Sequence, residues 1–285
     1  MKLRPAVFAG SWYPGGKEAC RRQIEEFFRR APAAAPGVKE AVGGIVPHAG
    51  WVYSGRIAGQ VVALMRNAPP PDTVILFGGH LGRFSQHLIM AQGAWQTPLG
   101  PVEVDCEMAS RLLGEFPFRQ EEPSRAEPDN TRELQLPLIR YAFPAARVLP
   151  LATAPTTDGI RIGESCARMA KNLGRKVLVL GSTDLTHYGP GYGFTPKGIG
   201  PQAERWVKGT SDPRIIGRME EMDAEGVLEE ALENGNACCP GAIAAALACL
   251  RELGATRPQV VAYMTSLEVQ PGDDFVGYVG IVYWS

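Results

Sequence analysis

Short runs of β-branched and aliphatic residues alternate along this chain with segments whose apolar residues recur every three or four positions, and no other feature constrains the fold as tightly. The runs Val42–Val46, Thr73–Phe77, Val148–Leu151, Val177–Leu180, Val260–Tyr263 and Val276–Tyr283 read as buried strands. Between them, Cys20, Ile24, Phe27 and Phe28 share one helical face, as do Ile57, Val61, Leu64 and Met65. Ile162, Cys166, Met169 and Leu173 form another such face, and Ile243, Leu247 and Leu250 a fourth. Strands spaced by amphipathic helices predict an α/β fold with a central, mostly parallel sheet flanked by helices, in which the last two strands are free to pair antiparallel.

At 285 residues the chain is expected to form a single domain, 1–285, around one core. The Pro- and Gly-rich stretches Ala31–Gly37 and Ala68–Asp72 are short enough to be internal loops. Pro190–Pro213, punctuated by Gly191, Gly193, Gly198 and Gly200, reads as an irregular surface flap near the site. A formal charge of −1 lacks the basic excess that binding a phosphate backbone demands, so no nucleic-acid partner is expected. The amino end runs into no long apolar stretch, and the longest apolar run, Gly241–Leu250, is too short for a bilayer and stops at Arg251-Glu252. A cytoplasmic protein without a membrane partner is expected. The 6 cysteines show no Cys-x-x-Cys spacing, and Cys20, Cys166 and Cys249 fall among apolar neighbours in helical patterns, as inert buried thiols do.

In open α/β sheets, ligands bind beyond the carboxyl ends of the strands, where loops converge and helix amino ends point inward. Three of the 4 histidines stand there. Val42–Val46 runs into Pro47-His48-Ala49-Gly50, Thr73–Phe77 into Gly78-Gly79-His80, and Val177–Leu180 into Gly181-Ser182-Thr183-Asp184-Leu185-Thr186-His187. His87 has no such placement. A single histidine of this kind is more often a hydrogen-bonded structural group than a ligand, but shared placement points to a common site. Two imidazoles and one anion make a common first-row metal site with an open position. The anion is open on this reading. Cys238 and Cys239 precede Pro240 at a helix amino end that favours a thiolate, although Cys239 reads more simply as a packing residue. Asp184 either joins His187 in the pocket as a proton-handling group or caps a loop. Trp12-Tyr13-Pro14 and Trp51-Val52-Tyr53 suit a pocket wall or edge packing, and Glu133 reads as a helix-end charge. Walker, Gly-x-Gly-x-x-Gly and Gly-x-Ser-x-Gly patterns are absent, which argues against nucleotide-dependent and serine-hydrolase chemistry.

Ala9-Gly10-Ser11-Trp12-Tyr13-Pro14, Pro47-His48-Ala49-Gly50-Trp51-Val52-Tyr53-Ser54-Gly55 and Ser182-Thr183-Asp184-Leu185-Thr186-His187-Tyr188-Gly189 together resemble the Memo family, and the likeness covers nearly the whole chain. The resemblance implies a fold shared with class III extradiol ring-cleavage dioxygenases. It implies metal ligation by His48, His80 and Cys238, with Asp184 and His187 lining the same pocket in catalytic roles. It also implies Fe(II) or copper as the cofactor, and so a redox protein or oxidoreductase acting on a small molecule or peptide. Dioxygenase activity does not follow from the fold. For animal members it implies the alternative of a non-catalytic module that recognises a phosphorylated peptide, or here a small anionic ligand. For microbial members it implies radical-SAM and AMMECR-like pathway partners. Two positions depart from the family pattern: Asn130 stands where members often carry histidine, and Cys239 where glycine usually follows the site cysteine.

Overall fold

The fold follows from a computed structural model that describes residues 2–285. Its long strands are β1 (Ala41–Val46), β2 (Thr73–Gly78), β3 (Arg147–Ala152), β4 (Val177–Ser182), β5 (Arg257–Thr265) and β6 (Phe275–Trp284). Around them lie α1 (Lys17–Arg29), α2 (Arg56–Met65), α3 (Cys106–Glu115), α4 (Thr157–Asn172), α5 (Asp212–Glu220), α6 (Ala224–Asn234) and α7 (Pro240–Glu252). Every strand run expected from the sequence lies inside one of these strands.

The sheet centre is parallel, in the order β1-β4-β2-β3. The whole sheet is nevertheless mixed, which corrects the expectation of a mostly parallel one. β6 pairs antiparallel with β1 and the short strand Leu88–Ile89 antiparallel with β3, while the last two strands, β5 and β6, pair antiparallel as the sequence allowed. Chain length explains the β5–β6 pairing: residues 266–274 cannot hold the helical crossover that a parallel neighbour requires, so the chain turns back as a hairpin. The register aligns the carboxyl ends of the parallel strands, with Val46 opposite Ser182, Phe77 opposite Gly181 and Gly78 opposite Ala152. The loops that begin at Pro47, Gly79, Thr153 and Thr183 therefore leave the sheet along one edge.

The run Gly241–Leu250, apolar on every side, is the interior of α7 and is wholly buried, as a helix without a polar face must be. It packs against β4, α4 and α6. Its approach to α4 depends on Gly163, where a Cβ would lie 2.0 Å from the Ala245 carbonyl oxygen. Among the described residues no helix is long and apolar enough to cross a membrane. Much of Pro190–Pro213 is helical rather than irregular: a 3₁₀ turn at Pro190–Tyr192, a helix at Pro201–Trp206 and a π turn at Val207–Ser211 run into α5. Ala203 and Val207 bury there against Tyr188 and Phe275, a satellite core that glycine spacing does not signal.

Candidate metal centre

His48 follows β1 after Pro47 and is held at both backbone ends. Its N–H donates to Asp184 Oδ1 at 2.7 Å, and its carbonyl accepts from Asn130 Nδ2 at 3.1 Å. The ring is buried, with Nδ1 3.0 Å from Ser182 Oγ. Nε2 is thereby turned toward His80 Nε2 at 3.1 Å and Cys238 Sγ at 3.2 Å. His80 arrives by way of Gly79, which adopts φ +94, a conformation that favours glycine. The Gly79 N–H donates to Thr131 Oγ1 at 2.7 Å, which fixes the turn.

Cys238 sits just before α7 and is tied to the loop after β4 in two ways. Its N–H donates to the Asp184 carbonyl at 3.1 Å, and its Sγ accepts from the Asp184 N–H at 3.2 Å. Burial would raise this thiol, but hydrogen bonds from Cys239 and His48 and the charge of His48 outweigh it and hold the group well below its ordinary range. Burial likewise opposes protonation of His48, yet the Asp184 carboxylate and Cys238 lift it to about 9. Asp184 is raised, chiefly by burial, with His48 pulling the other way and the like charge of Cys238 adding to the rise. The charges of His48, Cys238 and Asp184 are thus tightly interdependent, with Cys238 drawn down and His48 and Asp184 drawn up.

The donors fit a metal ion. From bond lengths to imidazole nitrogen and thiolate sulfur, a tetrahedral centre sets its nitrogens roughly 3.4 Å apart and nitrogen and sulfur roughly 3.6 Å apart. The observed 3.1 and 3.2 Å come close to those edges. Ser182 Oγ at the far ring nitrogen is the kind of partner that orients a ligating imidazole. His48 and His80 face a cavity of about 960 Å³, which Asp184 and His187 also line. His187 is outside the donor cluster. Its Nδ1 lies 3.1 Å from the Leu185 carbonyl, and its ring meets Tyr192 edge-on with centroids 5.0 Å apart. His87, buried elsewhere, accepts the Ala154 N–H at 3.1 Å and serves the backbone.

Residues 4–282 match the Memo family, described as Memo-like protein. The chain belongs to the Memo family. It is 33% identical to a MEMO1 family protein of Pyrococcus abyssi over 98% of each chain, and 33% identical to one of Thermococcus onnurineus over 99% of each. A MEMO1 family protein of Methanopyrus kandleri is 31% identical over 99% of each. An uncharacterised protein of Escherichia coli K12 has 11% identity and a TM-score of 0.47, over 75% of this chain and 87% of its own.

In this Memo-family chain the aromatic motifs serve both of their expected roles. Trp12 and Tyr53 line the cavity wall, while Tyr13 and Trp51 bury against each other with centroids 5.3 Å apart. Glu133 does stand at the end of a short helix, Asn130–Glu133, but its carboxylate is no solvated helix-end charge. It is buried and accepts from the Val7 and Phe8 N–H groups and the Tyr13 hydroxyl at 3.1, 2.8 and 3.0 Å, so it ties down the loop that carries Trp12. Sequence reasoning missed both this role and that of Ser182. Two buried ring-forming residues at Tyr13 and Trp51 gave no hint of the carboxylate beneath them. Ser182 had one available signal, its position two residues before Asp184 at a strand end.

Proposed function

We propose that this Memo-family protein binds one Fe(II) or copper ion through His48, His80 and Cys238 and acts as an oxidoreductase on a ligand held in the cavity above them. The observation that carries this reading is the convergence of both Nε2 atoms and the Cys238 sulfur on one point, behind two histidines that line the cavity. Bound there, such a metal would supply one-electron and O₂ chemistry. The protein's own part is proton handling and positioning. Asp184, buried with Oδ2 3.9 Å from His48 Nε2, has the raised proton affinity that suits a group exchanging a proton with a ligand. With Nδ1–H of His187 directed to the Leu185 carbonyl, Nε2 is the ring atom left for the ligand. We take 1–285 as one Memo-like domain with the fold of class III extradiol dioxygenases, acting in the cytoplasm, and leave its substrate unnamed. Association with radical-SAM and AMMECR-like proteins is proposed from the family resemblance alone.

The alternative, a non-catalytic pocket for a phosphorylated peptide or small anion, calls for positive charge or helix amino ends along the cavity wall. Against it, Asp184, Asp273 and Asp274 line the cavity and neither lysine nor arginine does. The deciding experiment is anaerobic purification followed by metal analysis by mass spectrometry of wild type and the His48→Ala, His80→Ala and Cys238→Ala variants. The proposal expects about one iron or copper per chain, lost in each variant. A well-folded wild type that takes up no metal on reconstitution overturns it, and phosphopeptide titration then tests the alternative.

A further inference from the structure

We infer that Cys239 is the fourth protein donor of this centre, which makes it a closed tetrahedral site of two imidazoles and two thiolates. The inference rests on the three-donor reading above and deepens it. Sγ of Cys239 lies 3.7 Å from Sγ of Cys238, and the donor atoms of His48, His80, Cys238 and Cys239 all fall within 4.8 Å of one another. Two thiolates on one tetrahedral ion stand roughly 3.8 Å apart, given the usual metal–sulfur bond length. The sulfur pair therefore already has the spacing of a chelating pair.

The backbone explains how neighbours in sequence turn their sulfurs to one side. Cys238 is pinned to the Asp184 backbone, and the Cys239 N–H donates to Thr183 Oγ1 at 3.2 Å, so both residues are anchored on the loop after β4 as α7 begins. Cys20, Cys166 and Cys249 are equally buried, but none belongs to such a donor group among the described residues. Packing alone accounts for those three. It does not account for a sulfur set among three other ligand atoms.

A fourth donor alters what the centre can do. Two soft thiolates with two imidazoles in a tetrahedron favour zinc, iron or Cu(I) over harder ions. With all four positions filled by protein, a cavity ligand reaches the metal only by expanding its coordination or displacing a donor.

The test is anaerobic titration with Co(II) in the presence of a phosphine reductant, following the thiolate-to-cobalt charge-transfer band and the visible ligand-field bands. Cys239→Ala and Cys238→Ala should each lower the charge-transfer intensity to about half that of wild type, one thiolate of two being lost. X-ray absorption of the zinc-loaded wild type, which needs no variant, should count two sulfur neighbours. Full wild-type intensity in Cys239→Ala, or a single sulfur neighbour, overturns the assignment of Cys239 while leaving the three-donor site intact. If wild type gives no cobalt bands, or His48→Ala and His80→Ala titrate as wild type does, the three-donor reading falls and takes this inference with it.

Discussion

The imidazoles of His48 and His80 meet edge to face, with centroids 4.9 Å apart, planes at 89° and Nε2 atoms 3.1 Å from each other. Their proximity gives metal binding a readout that requires no substrate. An ion that binds only the folded chain stabilises it by about 2.7 kcal/mol at a free concentration 100 times its dissociation constant. Wild type should therefore gain stability on metal addition and lose the gain on chelation, in calorimetry or a thermal melt. His48→Ala and His80→Ala should melt at a temperature indifferent to metal; a wild-type-sized shift in either would remove that histidine from the ligand set.

Ser182 should matter to the metal more than to the fold. Its hydroxyl meets His48 Nδ1 at 3.0 Å and sets which way Nε2 faces. Loss of such an orienting partner typically lowers metal affinity about 10–100-fold. Ser182→Ala should show that loss in competition with a chromophoric chelator and keep a near-wild-type denaturation midpoint. Unchanged affinity would mean that the packing of the ring, and not this hydrogen bond, orients it.

The contrast between His48 and Ser182 indicates what the sequence could reveal. His48 and His80 were legible because a polar residue within a few positions after a buried strand run lands at the carboxyl edge of the sheet whichever strands are neighbours. Cys238 was legible as one of a pair at a helix amino end and was singled out by the family resemblance, whereas Cys239 read as packing because nothing local places its sulfur beside the histidines. Ser182 and Glu133 act through partners brought near by folding, His48 in one case and the loop Val7–Tyr13 in the other, and no local pattern encodes those distances. The same limit hid part of the mixed character of the sheet: the antiparallel pairing of β5 with β6 was open to the sequence, but that of β6 with β1 was not. β1 and β6 are buried along their whole length, a pattern equally compatible with either relative direction, and only the short connection from β5 forces a reversal.

Asp212 should impose a pH dependence on stability away from the donor cluster. It is buried and accepts from Thr186 Oγ1 at 2.6 Å and from the Tyr263 hydroxyl at 2.8 Å. Burial raises its pKa to about 6 and these hydrogen bonds only partly restrain it. Because the folded value lies above the unfolded one, the folded chain binds more protons between them. Stability is then fullest below about pH 4 as far as this group is concerned, and falls as pH rises toward 6, by on the order of 2–3 kcal/mol. Asp212→Asn should flatten that part of the stability profile measured by urea denaturation. An unchanged slope would assign the effect to another group.

Arg132 ties the His80 turn to a buried ion network, and its removal should be felt in both places. The guanidinium gives two hydrogen bonds to Glu121, at 2.6 and 2.9 Å, and one to Asp129 Oδ2 at 2.6 Å, while Arg4 reaches Glu121 at 2.9 Å. Burial alone would raise the Asp129 carboxyl, but Arg132 and the Thr131 hydrogen bond hold it well below its usual range. The stability this carboxylate contributes is therefore complete above about pH 4 and lost as pH falls further. Arg132→Met leaves Asp129 and Glu121 short of their main counter-charge, a change that typically costs about 3–5 kcal/mol. Arg132→Lys should recover little, because an ammonium cannot span both carboxylates as the planar fork does. Asp129 also accepts from Thr131 Oγ1, the same hydroxyl that receives the Gly79 N–H beside His80. Arg132→Met should thus weaken metal binding as well as folding, although it stands apart from the donor atoms. If it lowered the denaturation midpoint with metal affinity intact, the network would support the fold without positioning His80.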